Sequence, residues 1–380
     1  VPDREDETMM HRNRMDHVWR GLAAPVAGLA FALAAGPLAA QSDTDFAGEE
    51  VEMIVPYGPG GGTTAFARLF VQPLQDTLPG APTVLLRNVE GGGSIVGTNE
   101  FVNAANPDGL TILAIGASTI LNQVFQDPAV RYDLGAMIPI ISSPAGTVVY
   151  ARRDYDGGLP QDPVEAIRAL IENPPVIAAQ TLTSSDLGVL LSYDLLGIRP
   201  QVVFGISLGE SRGGLERGEF QMRHDTMLSY ANEVVPLIEE GLVQQLFTMG
   251  YEQDGVIGRD PVAPDVPTFL EVYEAVHGEP LDGIEYQVWK SLFDIRVTAG
   301  KMILLPEGTP DDIVAVYEAA IADAMDHPDL TSAAAQEVMG DYPQLIGAEA
   351  SGRVLAGALG LSGEPMTWLQ DWAETRYGGF

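Results

Sequence analysis

The sequence predicts an α/β fold in two lobes, the first interrupted by the second and completed by the C-terminal third. Three observations lead there. Short apolar, β-branched runs alternate with segments whose apolar residues fall at helical spacing, the rhythm of mainly parallel sheets flanked by helices. The length of 380 residues allows two or three domains, or one domain built of two lobes. The hydrophobic fraction of 46% is enough for a sizeable core, although 53 acidic residues face 20 basic ones and the net charge is −33.

Taken in order, residues 51–56 form a β-rich run, residues 58–62 a glycine turn, and residues 63–78 a helix with Phe66, Leu69, Phe70 and Leu74 on one face. A second strand at 83–87 leads through the glycine loop 91–93 into a helix ending at Ala104, and a third strand spans 110–115. Residues 147–151 read as a strand, and the charged, glycine-rich stretch 152–160 as a boundary. The second lobe follows as helix 163–172, strand 176–179, helix 187–196, strand 201–204, helix 234–240 and strand 244–249. Residues 250–267 carry Pro261, Pro264 and Pro267 and read as a loop; the remainder reads as mostly helical. Its clearest helix is 310–325, with Thr309 as N-cap and Pro310 as first helical residue. The expected division is a leader at 1–40, a discontinuous first lobe at 41–151 plus 247–380, and a second lobe at 152–246.

Composition removes several functions. A surface this negative repels phosphate backbones and anionic lipid headgroups. Without cysteine there is no disulfide, thiolate nucleophile or cysteine-held metal. His11, His17, His224, His277 and His327 are scattered, with no pair at ligand spacing, so no metal site or cofactor is expected. Acid-rich, lysine-poor composition, with Lys290 and Lys301 as the only lysines, suggests a salt-rich habitat in which the carboxylate surface is screened. At the N-terminus, Arg12, Arg14 and Arg20 precede an apolar stretch, 21–35, that ends in small residues, the parts of a secretory signal peptide. The acidic residues 1–8 do not fit one, and the expected natural start is therefore Met9, Met10 or Met15. The mature chain is expected to be exported to the periplasm, soluble and monomeric.

Two glycine loops carry the functional signal. Residues Tyr57, Gly58, Pro59, Gly60, Gly61, Gly62, Thr63 and Thr64 lie between a strand and a helix, and Gly91, Gly92, Gly93 and Ser94 repeat the arrangement after the next strand. Such loops let backbone N–H groups approach a ligand at a helix N-terminus, an anion site made without a cation. Two of them at adjacent strand ends converge on one crevice. No lysine follows Gly62 as a P-loop requires, and neither loop has the dinucleotide spacing.

The segment 54–68, with its Pro-Gly-Gly turn and Ala67-Arg68 on the next helix, resembles the opening of the solute-binding receptors of tripartite tricarboxylate transporters. The loop from Asn88 to Gly97, the turn Asn106-Pro107-Asp108-Gly109, the turn Pro264 to Thr268 and the turn Pro306 to Pro310 resemble that family's later motifs, in order. The resemblance implies a type II periplasmic-binding-protein-like fold that closes on a small organic carboxylate and delivers it to integral-membrane transporter subunits, with no catalysis. Carried onto matching positions, it nominates Tyr57, Gly60, Gly61, Gly62, Thr63, Thr64, Gly92, Gly93 and Ser94, then Ala117 and Ser118 after the third strand. From the second lobe it nominates Thr181, Thr183, Ser184, Ser207, Gly209 and Asp225. Thr64 stands where most members have Asp, Ser94 replaces a loop glycine, and the second-lobe loops diverge.

Two other functions fit parts of the chain. Gly205-Ile206-Ser207-Leu208-Gly209 matches the nucleophile-elbow pattern of α/β-hydrolases, with Ser207 as nucleophile and His277 or His327 as base. A ligand-presenting sensor for a membrane kinase would use the same fold with a different partner. Among single residues, Arg68 reads as structural and His224 beside Asp225 as a surface pair. Trp289 reads equally as a crevice wall or as core.

Overall fold

The computed structural model describes residues 44–379 except 61, 207, 254 and 341; the expected leader lies outside the described residues. The strands are β1 (Glu50–Val55), β2 (Thr83–Asn88), β3 (Thr111–Gly116), β4 (Ile138–Ser143), β5 (Thr147–Arg152), β6 (Val176–Ala179) and β7 (Gln201–Phe204). They continue as β8 (Met222–Thr226), β9 (Val243–Thr248), β10 (Tyr251–Gln253), β11 (Val256–Gly258), β12 (Lys301–Leu305) and β13 (Leu345–Ile346). Helices α1 (Gly62–Leu69), α2 (Val71–Thr77), α3 (Ile95–Ala104) and α4 (Ala117–Val124) belong to the first lobe; α5 (Pro163–Glu172), α6 (Leu187–Leu195) and α7 (Leu208–Glu216) to the second.

The first lobe is built on a six-stranded sheet in the order β13-β4-β12-β3-β1-β2. Its inner strands β3, β4 and β12 are buried almost throughout, whereas β2 at the edge is partly exposed and its Arg87 pairs with Glu52 of β1. Val51, Met53 and Val55 of β1 pack with Phe66, Phe70, Leu74, Tyr317 and Ile321, whereas Ile54 between them faces the opposite core with Leu113 and Ile115. That alternation follows from the two-residue period of a strand. The second lobe holds an antiparallel sheet, β8-β5-β9, and the parallel pair β6-β7. The two-lobed α/β expectation holds, with mixed pairing: β1 runs parallel to β2 and β3, but β12 inserts antiparallel between β3 and β4.

Three local readings change. The helix expected over 63–78 breaks at Phe70 into α1 and α2, because Pro73 lacks an N–H and its ring would clash with the carbonyl of Leu69 in a continuous helix. Thr309 is not an N-cap: its hydroxyl donates to Pro306 O at 2.8 Å, and extended Pro310 occupies the cap position before helix Asp311–Ala324. β12 lies in a stretch that reads as helical, since Lys301-Met302-Ile303-Leu304-Leu305 is buried on both faces and shows no alternation.

The chain passes between the lobes in two neighbouring links. One joins β4 to β5, both of whose partners in β8 and β9 lie in the second sheet, so the expected edge residues 147–151 and 247–248 pair there too. The other follows helix Gly283–Phe293, which packs on α6, through the π-helical turn Asp294–Thr298 into β12. The links are tied together: Ala145 N donates to Val297 O at 2.9 Å and Ser142 Oγ to Thr298 O at 2.9 Å. A Cβ at Gly300 would fall 2.8 Å from Ala145 Cβ and 3.1 Å from Ser143 O, so any larger residue would force the links apart.

Candidate functional site

A cavity of about 300 Å³ opens between the lobes at these links. The first lobe contributes Tyr57, Gly62, Thr63, Gly116, Ala117 and Ser118; the second, Gln180, Ser184, Ser185 and Thr226; the links, Ala145, Arg296, Gly300 and Lys301. Its first-lobe wall is the start of two helices. α1 begins at Gly62 and α4 at Ala117, and Gly116, the residue capping α4, has no side chain to satisfy the helix's free N–H groups. Two helix N-termini facing one space give partial positive charge and unpaired donors, a setting for an anion.

Tyr57 organises this wall. Its hydroxyl accepts from Gly116 N at 3.2 Å and shares hydrogen bonds with Ser118 Oγ at 3.0 Å and Thr119 Oγ1 at 2.8 Å. Gly116 must be small there, because a Cβ would lie 2.8 Å from Thr63 Oγ1. Thr119 in turn donates to Ser94 Oγ at 2.9 Å, and Asn122 Nδ2 donates to Gly93 O at 2.8 Å. Ser94 sits at φ 92° in the left-handed region, a conformation that favours glycine, and its buried hydroxyl is held by Thr119. Thr64 is fully buried; its hydroxyl donates to Gly58 O at 2.8 Å and accepts from Asn88 Nδ2 at 2.8 Å. The second glycine loop and Thr64 thus brace the wall from behind.

Of the residues expected at the site, the cavity gathers Tyr57, Gly62, Thr63, Ala117, Ser118 and Ser184. Gly60 is exposed, Gly92, Gly93 and Ser94 lie in the supporting layer, and Thr181 and Thr183 are exposed beside Ser184. Gly209 is exposed at the start of α7. Gly61 and Ser207 lie outside the described residues.

Asp225 and His224 are not a surface pair; both are buried. Asp225 accepts from Tyr150 OH at 2.6 Å, from Arg223 Nε at 3.1 Å and Nη2 at 2.7 Å, and from Arg212 Nη2 at 3.2 Å. Burial opposes its charge, but Arg223 outweighs burial and holds the carboxyl below its ordinary range. His224 Nε2 lies 3.2 Å from Asp186 Oδ1. Burial opposes the charge of Asp186 too, yet the contact with His224 and the N–H of Gln180, which donates at 2.7 Å, bring its carboxyl down to about 2.

The sequence reading missed the two cations. It assigned anion binding to backbone groups alone, whereas Arg296 and Lys301 both line the cavity. Lys301 is 9% exposed, and burial, reinforced by Arg296, lowers its ammonium to about 8. Among the described residues neither side chain makes an ion pair or hydrogen bond, and Arg296 Nε is buried without a partner. The one available signal was rarity, since a chain with two lysines places one beside a glycine at a strand start.

The hydrolase geometry is not assembled. His277 Nε2 bonds Leu195 O at 3.1 Å and His327 Nε2 bonds Asp76 Oδ2 at 3.1 Å, so each candidate base is engaged elsewhere. Trp289 is core, stacked on Phe269 at 4.8 Å with Nε1 donating to Ser192 Oγ at 3.0 Å. Arg68 is exposed on α1. No helix among the described residues is long and apolar enough to cross a membrane.

No protein-family model matches the chain. A UPF0065 protein encoded in the tcbD-tcbE intergenic region of Pseudomonas sp. strain P51 is 26% identical over 336 residues, covering 84% of this chain and 88% of that one. A UPF0065 protein of Bordetella pertussis is 28% identical over 314 residues, covering 80% and 84%. Among solved structures, MatC from Rhodopseudomonas palustris with bound malate superposes with a TM-score of 0.55 at 24% identity, over 85% of this chain and 98% of that one. A TctC solute-binding protein from Polaromonas gives a TM-score of 0.62 at 20% identity, over 82% and 96%. The chain is similar in sequence to these UPF0065 proteins and has the two-lobed fold of MatC and of the TctC solute-binding protein.

Proposed function

We propose that the protein is an extracytoplasmic solute-binding receptor that captures a small organic carboxylate between its lobes and hands it to tripartite tricarboxylate-type membrane subunits. The observation that carries this reading is the interlobe cavity itself, where two helix N-termini and two unpaired cations converge in a chain of net charge −33. A protein that repels anions at long range has concentrated positive potential in one enclosed place, and salt screening lets anions reach it. MatC, with the same fold, holds malate, a ligand of the size and charge this cavity suits.

The wall residues Tyr57, Gly62, Thr63, Ala117 and Ser118 would hold one end of the ligand, and Ser184 with its neighbours would meet it from the other lobe. Contacts to both lobes favour the closed state, with the paired links at Ala145 and Val297 as the hinge. The role involves binding and release without chemistry, by a monomer in the periplasm. Thermal-shift screening of the purified protein against mono-, di- and tricarboxylates, sulfonates, amino acids and neutral sugars tests it. A carboxylate at about 100 times its Kd should add about 2.7 kcal/mol of stability. Stabilisation by sugars or sulfonates alone would overturn the reading.

A further inference from the structure

Arg296 and Lys301 stand five positions apart on the link that joins the lobes, one in the π-helical turn and one at the first position of β12. Both face the same cavity. The surrounding charges are committed elsewhere. Asp225 is held by Arg223, Arg212 and Tyr150, while Asp186 is held by the Gln180 N–H and lies against His224. Those two carboxylates act on Arg296 only at longer range, where they partly offset the burial that lowers its guanidinium. Arg296 and Lys301 also oppose each other, which adds to the cost of burying both. A buried cation without a partner is unfavourable in the folded chain by itself, and replacing such a group with an apolar one is commonly stabilising. Two such groups in one cavity are accounted for if a bound molecule supplies the counter-charge.

We propose that Arg296 and Lys301 form a two-cation subsite that pairs directly with the ligand and restricts this receptor to small molecules carrying two negative charges. The inference rests on the receptor reading and deepens it: helix N-termini and hydroxyls suit one carboxylate of any acid, whereas the cation pair requires a second negative group. Neutralising that group by amidation keeps the ligand's length and shape while leaving one buried cation unpaired. Discrimination therefore comes from charge count more than from size.

Isothermal titration of the purified receptor with succinate, glutarate and adipate, with the monoamide of each, and with butyrate, valerate and hexanoate tests this. The wild type should bind at least one diacid about 30-fold or more tightly than its monoamide, the loss expected for truncating one partner of a buried charge pair. Lys301→Met should bring the two to within about 3-fold of each other, and Lys301→Arg should restore most of the difference. Arg296→Met should act in the same direction, and unchanged circular dichroism spectra would confirm that the variants fold. If diacid and monoamide bind the wild type within about 3-fold, or if Lys301→Met keeps the full discrimination, the subsite is wrong while the receptor stands. If sugars or sulfonates bind and no carboxylate does, the receptor reading fails and takes the subsite with it.

Discussion

The chain has two lysines, eleven positions apart on either side of the turn that links the lobes, and they occupy opposite environments. Lys290 Nζ lies 2.7 and 2.8 Å from the two oxygens of Asp294 and 2.9 Å from Glu252 Oε2. Burial weakens its charge, but Asp294 and Glu252 more than compensate and hold the ammonium above its ordinary range. Lys301 is more deeply buried, has no carboxylate of the described residues within ion-pairing distance and is driven down to about 8. A satisfied buried charge reads as architecture, and an unsatisfied one marks a place where the fold accepts a cost for something outside the chain.

The largest effect that would break this comparison is on stability. Lys290→Met should destabilise the protein by about 2–4 kcal/mol in urea unfolding, because it leaves Asp294 and Glu252 close together with no cation between them. Lys301→Met should move the ligand-free protein the other way, by on the order of 1–3 kcal/mol, since it removes an uncompensated buried charge. Destabilisation by both substitutions would mean that Lys301 is structural after all.

The second effect is on pH dependence. The folded-state value of Lys301, about 8, lies below its unfolded value of 10.5, so the unfolded chain binds more protons between them. The cost is fully present below pH 8 and is relieved as pH rises from about 8 towards 10.5. The stability of wild type relative to Lys301→Met should therefore increase across that window. Ligand affinity should change in the opposite direction, because an anionic ligand holds Lys301 protonated, and diacid binding should weaken above about pH 8. Titration calorimetry at pH 7 and pH 9.5 measures that loss, and equal affinities would separate Lys301 from the ligand.

The smallest effect concerns a buried acid without a cation. Asp260 is fully buried and accepts from Tyr342 OH at 2.9 and 2.8 Å, and burial raises its carboxyl to about 6. Its folded value exceeds the unfolded 3.8, so its favourable contribution is complete below that value and is lost as pH rises through about 6. Asp260→Asn should raise stability by about 1 kcal/mol at pH 7.5 and give no gain at pH 3.5. A gain of equal size at both pH values would show that the carboxyl's charge is not the cause.

Much of the first lobe was legible because its signals are local. The run before Tyr57, the glycines after it and the apolar positions 66, 70 and 74 each specify structure within a few residues. The break at Phe70 was also written locally, in Pro73, but was overridden by the helical spacing around it. β4 and β12 were not legible, since fully buried strands lose the alternation that distinguishes strand from helix. Within the site, glycine loops announced one wall through composition, yet Thr64 and Ser94 were nominated as contacts when their hydroxyls are turned into bracing bonds.

The sequence by itself determined the α/β rhythm, the glycine turns that precede α1 and α3, and the excess of carboxylates that makes a cation inside the protein conspicuous. Tertiary structure alone decided which cations those carboxylates reach. Asp294 finds Lys290 one helical turn away, and Asp225 finds Arg223 two residues away on the same strand. Lys301 follows a glycine that lets two links pack in contact, and there it is buried with no carboxylate of the described residues in ion-pairing range. Charge balance in a buried site depends on distances between segments far apart in the chain, and residue counts carry no such distances.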